Sequence, residues 1–186
     1  MYLTVRKGAK MQKKGQVWIE SVLYTLIGLA VIGLLLVVTR PKISQTQDEF
    51  IIQQTITALS NIDNKLTEIQ IATGNRREIE FQLSRGELLI DPVNSRLQWS
   101  LKGSNFMYSE PGSQAQVANI KVLTTKQGDT YDITLTLDYT NKNKITVDTG
   151  TLSKTLTPVR VPYKIFVENT GKDQITGLVK IDISIS

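Results

Sequence analysis

The sequence predicts an α+β protein: a long N-terminal hydrophobic helix continuing into an amphipathic helix, then an all-antiparallel, β-sandwich-like head of about seven or eight strands. Three observations predict it. Ser21 to Thr39 carries no charge and is almost wholly apolar. Between Ile52 and Ile69 apolar residues recur every three or four positions. After Asn75 the apolar spacing becomes two. The boundaries that follow are a basic leader at 1–15, a transmembrane helix at 16–40, an amphipathic helix at 41–75 and a β-rich head at 76–186.

The leader holds Arg6, Lys7, Lys10, Lys13 and Lys14 and no acid. These are five of the 22 bases, so the other 17 balance the 17 acids. A balanced remainder lacks the clustered cationic surface that phosphate backbones require, and nucleic acid is not an expected partner. The chain has no His and no Cys. That excludes imidazole and thiolate metal sites, disulfides, and Ser-His-Asp or Cys-His catalysis. A carboxylate-only active site survives this filter, and few other catalytic designs do.

The uncharged run SVLYTLIGLAVIGLLLVVT spans 19 residues, or roughly 28 Å of helix, close to the hydrocarbon thickness of a bilayer. It is apolar on every face, which suits lipid rather than a one-sided core. Gly28, Ala30 and Gly33 make notches of the kind that let helices approach closely. Five bases precede the run and two, Arg40 and Lys42, follow it. This asymmetry places the N-terminus in the cytoplasm and residues 43–186 outside, with one pass through the lipid. Arg40-Pro41-Lys42 after the run is a poor match to the small-residue site of an ordinary secretory signal.

Glu20 lies just inside the apolar boundary, where a carboxylate is costly without a partner. It either decorates a helix N-terminus or awaits a cation. The string Lys13-Lys14-Gly15-Gln16 followed by Glu20 resembles the class III signal peptide of archaeal type IV pilin-like proteins. The resemblance covers about residues 13–40, with Trp18 standing where relatives often carry Ser. It implies a membrane peptidase that cuts after Gly15, so that Gln16 becomes the first residue and Glu20 the fifth. It also implies that Glu20 pairs with the new Gln16 amine of a neighbouring subunit. The partners implied are further copies of the chain in a filament, a prepilin peptidase, a membrane platform protein and a cytoplasmic assembly ATPase, besides membrane lipid. Gly15 has no side chain, so an extended scissile segment enters a narrow site. Met11 offers a second start and a shorter leader.

Pro41 lacks a donor and crowds the preceding turn, so a kink or break is expected there. Ile52, Ile56, Leu59, Ile62, Leu66 and Ile69 then form one stripe of a helix over about Ser44 to Ala72, ended by Gly74-Asn75. Gln47, Asp48, Gln53, Asn61, Asn64 and Glu68 are assigned to its polar face. The stripe either packs on the head or waits for partner helices.

Alternation marks strands at Ile79–Leu83, Leu97–Leu101, Tyr131–Tyr139 and Val179–Ile185. Ser84-Arg85-Gly86, Asp91-Pro92-Val93-Asn94, Gln127-Gly128-Asp129 and Asn169-Thr170-Gly171 read as turns. Gly103–Gln116 and Asn141–Thr151 read as loose polar segments. Asp129, Asp132, Asp138 and Asp148 lack the ligand spacing of a calcium loop and read as solvated acids. Phe106, Tyr108 and Glu110 form a contact patch, or the aromatics cap the core. No Asn-X-Ser/Thr sequon occurs, so N-glycosylation of the head is not expected. Glu78 and Glu80 alternate with apolar residues as a strand's wet face; neither an enzyme nor a cofactor is expected.

The expected function is a structural subunit of a type IV pilus-like surface filament. The alternatives are a membrane-anchored extracellular binding module and a stationary accessory part of an archaellum or secretion machine. Leader cleavage separates the first from a simple anchor. Protein extracted from membranes should begin at Gln16 by N-terminal mass analysis. Gly15→Val should leave uncut precursor in the membrane, and an intact Met1 or Met11 terminus beside an active peptidase would refute the filament reading.

Overall fold

The computed structural model describes the backbone of residues 13–186 and the side chains of 17–38 and 42–186. Residues 1–12 of the basic leader, and the side chains of Lys13, Lys14, Gly15, Gln16, Thr39, Arg40 and Pro41, lie outside the described residues.

A helix, α1, runs from Lys13 to Ile69. The helical backbone continues through Pro41, so the expected break is absent. Proline costs a helix interior about 3 kcal/mol; the strongly helix-forming apolar run before it and the tertiary packing after it are enough to carry the helix across. The chain divides into two compact units, one ending at Ile43 and the other comprising Ser44–Ser186.

In the second unit the stripe behaves as an inward face. Ile52, Ile56, Leu59, Ile62, Leu66 and Ile69 are all buried, and all belong to one core shared with the strands. The helix ends three residues short of Ala72. The buried Asn169 amide donates to the Ile69 carbonyl at 3.0 Å, satisfying one orphaned helix-end acceptor. Gly74 follows at φ 83°, and its N–H donates to the Asn169 carbonyl at 2.8 Å. Asp48 departs from its polar-face assignment: its side chain is fully buried. It lies four residues before Ile52, in line with the stripe, and that spacing was the overlooked signal.

Ten strands follow among the described residues: β1 (Arg76–Phe81), β2 (Glu87–Asp91), β3 (Arg96–Ser104), β4 (Gln114–Val117), β5 (Ile120–Gln127), β6 (Thr130–Asp138), β7 (Asn143–Val147), β8 (Lys154–Leu156), β9 (Tyr163–Lys172) and β10 (Val179–Ile185). They build two sheets, ordered β1-β9-β10-β7 and β4-β5-β6-β3-β2-β8. The inner residues of both sheets join the helix stripe in the core, with Trp99 and Phe81 its largest members. The α+β class with a sandwich-like head is therefore the observed one.

Three details differ from the sequence reading. The head is not wholly antiparallel, because β7 pairs with β10 in parallel, Val179 opposite Asn143 and Ile183 opposite Val147. Alternation specifies which face a residue takes, not strand direction. These two strands are separated by β8 and β9, so no hairpin constrains them to run opposite ways. The strand count exceeds the expectation because β7 lies within Asn141–Thr151 and β4 begins within Gly103–Gln116. Both are only four or five residues long, too short for alternation to stand out. Finally, Asn169-Thr170-Gly171 is not a turn; β9 passes through it and the hairpin turns at 173–178. Gly171 has φ 101°, and the β9–β10 register shifts between Val179 and Ile181. The glycine serves a bulge instead.

The Ser84-Arg85-Gly86 bend brings backbone close to the core tryptophan. Gly86 has φ 76°, and a Cβ there would lie 2.5 Å from the Ser100 carbonyl oxygen and 2.7 Å from the Trp99 ring. Trp99 Nε1 donates to the Arg85 carbonyl at 3.0 Å, so the indole is buried without losing its hydrogen bond.

Leu59→Ala should cost about 2–5 kcal/mol of head stability. Thr57→Ala, two positions away on the exposed side, should change it by no more than about 0.5 kcal/mol. Chemical denaturation of the two variants compares them directly. Equal losses would mean that the stripe is not what holds the helix to the head.

Candidate functional site

The apolar half of α1 is the feature that the rest of the fold does not use. Its described side chains, Val17 to Val38, are all exposed; Leu34, for example, is 68% exposed and Val37 72%. Mean hydropathy over an 18-residue window is 2.6, with none of that window buried. One helix near the N-terminus is thus long and apolar enough to cross a membrane. Two of its polar side chains are satisfied within the helix itself. Ser21 Oγ donates to the Val17 carbonyl at 2.9 Å, and Thr25 Oγ1 donates to the Ser21 carbonyl at 2.8 Å. These back-bonds satisfy the hydroxyl hydrogens of both Ser21 and Thr25. A Cβ built at Gly28 or Gly33 would meet nothing within 4 Å. No intramolecular packing asks for glycine at either position, so each leaves an open notch on the helix surface.

Glu20 is exposed, and no ion pair to it forms among the described residues. Its expected partner, the Gln16 amine, and the processing residues Lys13, Lys14 and Gly15 have side chains outside the described residues. The sequence-predicted assembly pair, between Gln16 of one subunit and Glu20 of another, therefore lies outside the described residues.

What the sequence missed is how firmly the start of the second unit is tied down. The buried Asp48 carboxylate pairs with the Arg85 guanidinium. It also accepts from the Asn105 backbone N–H at 2.7 Å. Asn105 Nδ2 in turn donates to Ser44 Oγ at 2.8 Å. Four turns further on, Asp63 accepts from the Tyr139 hydroxyl at 2.8 Å and from Asn119 Nδ2 at 2.7 Å. Burial, with the Asp63 charge beside it, pushes the Tyr139 phenol far above its ordinary value, so Tyr139 stays a donor. Two helix acids thus hold α1 to loops of the six-stranded sheet at two points along its length.

Three of the four scattered head acids have partners nearby. Asp132 accepts from the Gly103 N–H at 3.0 Å, Asp148 pairs with Lys154 at 3.0 Å and Asp138 pairs with Lys121 at 2.9 Å. Among the described residues no group of three acids gathers as a metal site. Glu78 pairs with Lys164 at 3.2 Å across β1 and β9. Phe106 and Tyr108 meet edge to face, centroids 6.4 Å apart, and pack against the core. They cap it; Glu110 stays exposed beside them.

The Thr140 hydroxyl, Lys121 and the Thr140 N–H hold the Asp138 carboxyl at about 2, below its ordinary 3.8. The Asn94 amide, with Arg96, also lowers Asp91. A depressed folded-state value stabilises the fold above the unfolded value, and that contribution is lost as pH falls through the folded one. The melting temperature should therefore fall between pH 3.8 and about 2, and Asp138→Asn should flatten the slope in that window. An unchanged slope would show that the Thr140–Lys121 cluster contributes nothing to acid stability.

No family model, curated protein or solved structure matches this chain.

Proposed function

We propose that the chain is a structural subunit of a type IV pilus-like surface filament. It is cut between Gly15 and Gln16 and assembles through its N-terminal helix, with the head outside the membrane. The observation that carries the reading is Glu20: a lone carboxylate at the edge of an uncovered apolar helix, five residues after Lys13-Lys14-Gly15. A plain anchor gains little from an acid there, and lipid penalises it. A subunit that must leave lipid for a bundle of like helices can use it for register, because a buried ion pair contributes more to alignment than to net stability. Two further features support the reading. The open notches at Gly28 and Gly33 suit close helix approach. The Asp48 and Asp63 ties fix the amphipathic stretch of the helix to the β head by hydrogen bonds and an ion pair.

In this mechanism the Lys13 and Lys14 charges hold the precursor at the cytoplasmic face until the peptidase removes them. The new Gln16 amine is cationic, and each added subunit pairs its terminus with Glu20 of a neighbour. A platform protein and an assembly ATPase would drive extraction from the bilayer.

Glu20→Gln keeps the size of the side chain and removes its charge. Losing one member of a buried pair costs about 3–5 kcal/mol, here at every subunit addition. The variant should be processed normally yet remain in the membrane fraction, with few filaments in sheared supernatants. An acid that merely faces a helix N-terminus contributes about 0.3–1 kcal/mol, and its loss would leave filament yield unchanged. Equal yields refute the pairing role. No filament from either protein favours the anchored module or the stationary accessory part.

A further inference from the structure

The outer faces of the two sheets treat their polar side chains differently. On the four-stranded sheet, charged neighbours satisfy one another: Arg76 lies over the Phe166 ring and 4.0 Å from Glu168, and Lys164 reaches Glu78. The six-stranded sheet instead forms a dish of about 460 Å³ across β3, β4, β5 and β6. Gln98, Gln114, Thr134 and Thr136 line it, and their side chains make no hydrogen bond among the described residues. Gln98, Thr134 and Thr136 are nevertheless half-buried, so their amide and hydroxyl groups are held in place by the pleat while still open to a ligand.

Pairing register arranges these groups as a grid. Gln98 stands opposite Thr136 and Thr136 opposite Lys121, making one row across three strands. Thr134 stands opposite Leu123 and Leu123 opposite Gln114, making the next. Along each row, neighbouring positions sit one strand apart, about 4.8 Å, close to the length of one sugar ring. The charges at the margin are already neutralised, Lys121 by Asp138 at 2.9 Å and Arg96 by Asp91 at 3.1 Å. A polyanion would therefore find no free cationic row there. Apolar contact is limited to Leu123, 40% exposed at one side, which does not suit a lipid or a greasy helix. What remains is a neutral surface of donors and acceptors at sugar-ring spacing, with one apolar spot for a ring face.

We propose that this dish binds a neutral glycan chain laid across the strands of the six-stranded sheet. Gln98 and Gln114 would act as two-sided hydrogen-bond partners for ring hydroxyls, with Thr134 and Thr136 beneath. The site goes beyond the filament reading and does not depend on it.

The test uses the full chain in a sugar-free zwitterionic detergent, titrated with cellohexaose, chitohexaose and maltohexaose, with heparin as the polyanion. Saturation-transfer NMR and titration calorimetry read binding. At least one neutral hexasaccharide should bind, and Thr136→Val and Gln98→Ala should each weaken it about tenfold. Unaltered circular dichroism would establish that both variants fold. Glu78→Gln, on the other sheet, should bind as wild type does. Three results would each overturn the proposal: no hexasaccharide binding, binding indifferent to Gln98 and Thr136, or binding of heparin alone that disappears with added salt. Filament yield from Gln98→Ala should equal wild type, so failure here leaves the assembly reading untouched, and the reverse holds.

Discussion

The burial of one helix face between Ile52 and Ile69 is the constraint on which the head depends. Six large aliphatic side chains leave water together, each contributing about 1.5–3 kcal/mol. They share a single core with residues from both sheets, among them Phe81 and Ile165 of the smaller and Trp99 and Leu135 of the larger. Without that stripe, the inner faces of the two sheets would lose the side chains that fill the space beside them. Polar ties then fix the position of the helix. Asp48 and Asp63 meet partners on loops of the six-stranded sheet, while Gln70 and the Ile69 carbonyl meet Asn143 and Asn169 of the four-stranded one.

The same helix satisfies two incompatible environments by changing its pattern. Up to Val38 it is apolar all round and uncovered, a composition that calls for lipid or other helices. After Ser44 its apolar stripe lies on one face, Phe50 apart, and that stripe is consumed internally. On the filament reading, this division keeps head folding and subunit assembly apart: the surface used for one is not available to the other. A substitution in the stripe then damages the head, whereas one at Glu20 leaves the fold alone.

Acids on the helix illustrate how context sets the role of a carboxylate. Glu20 stands exposed beside a hydrophobic run, Asp48 is wholly buried against Arg85 and the Asn105 backbone N–H, and Asp63 holds a phenol and an amide. A buried carboxylate is tolerated when each oxygen is engaged, and Asp48 meets that condition. The outer face of the six-stranded sheet shows the opposite economy, with neutral groups left unengaged in a shallow dish.

Patterning alone determined the elements with long, regular periods. The uncharged run from Ser21 to Thr39, the stripe at Ile52–Ile69 and the strands around Trp99, Leu135 and Ile183 could be read directly, because period and burial coincide there. The motif of Lys13, Lys14, Gly15, Gln16 and Glu20 is likewise a property of the sequence, and its chemistry remains a matter of sequence and resemblance. Tertiary structure decided what periodicity does not encode. It set the direction of β7 beside β10, which depends on chain connections rather than on side-chain alternation. It made Asn169-Thr170-Gly171 a bulge within β9, since glycine permits either a bulge or a turn and neighbouring strands select between them. It buried Asp48, because an acid in line with an apolar stripe is tolerated only where Arg85 and Asn105, far away in sequence, arrive to pair it. It also gathered Gln98, Gln114, Thr134 and Thr136 into one dish, since strand order alone brings β3, β4, β5 and β6 side by side.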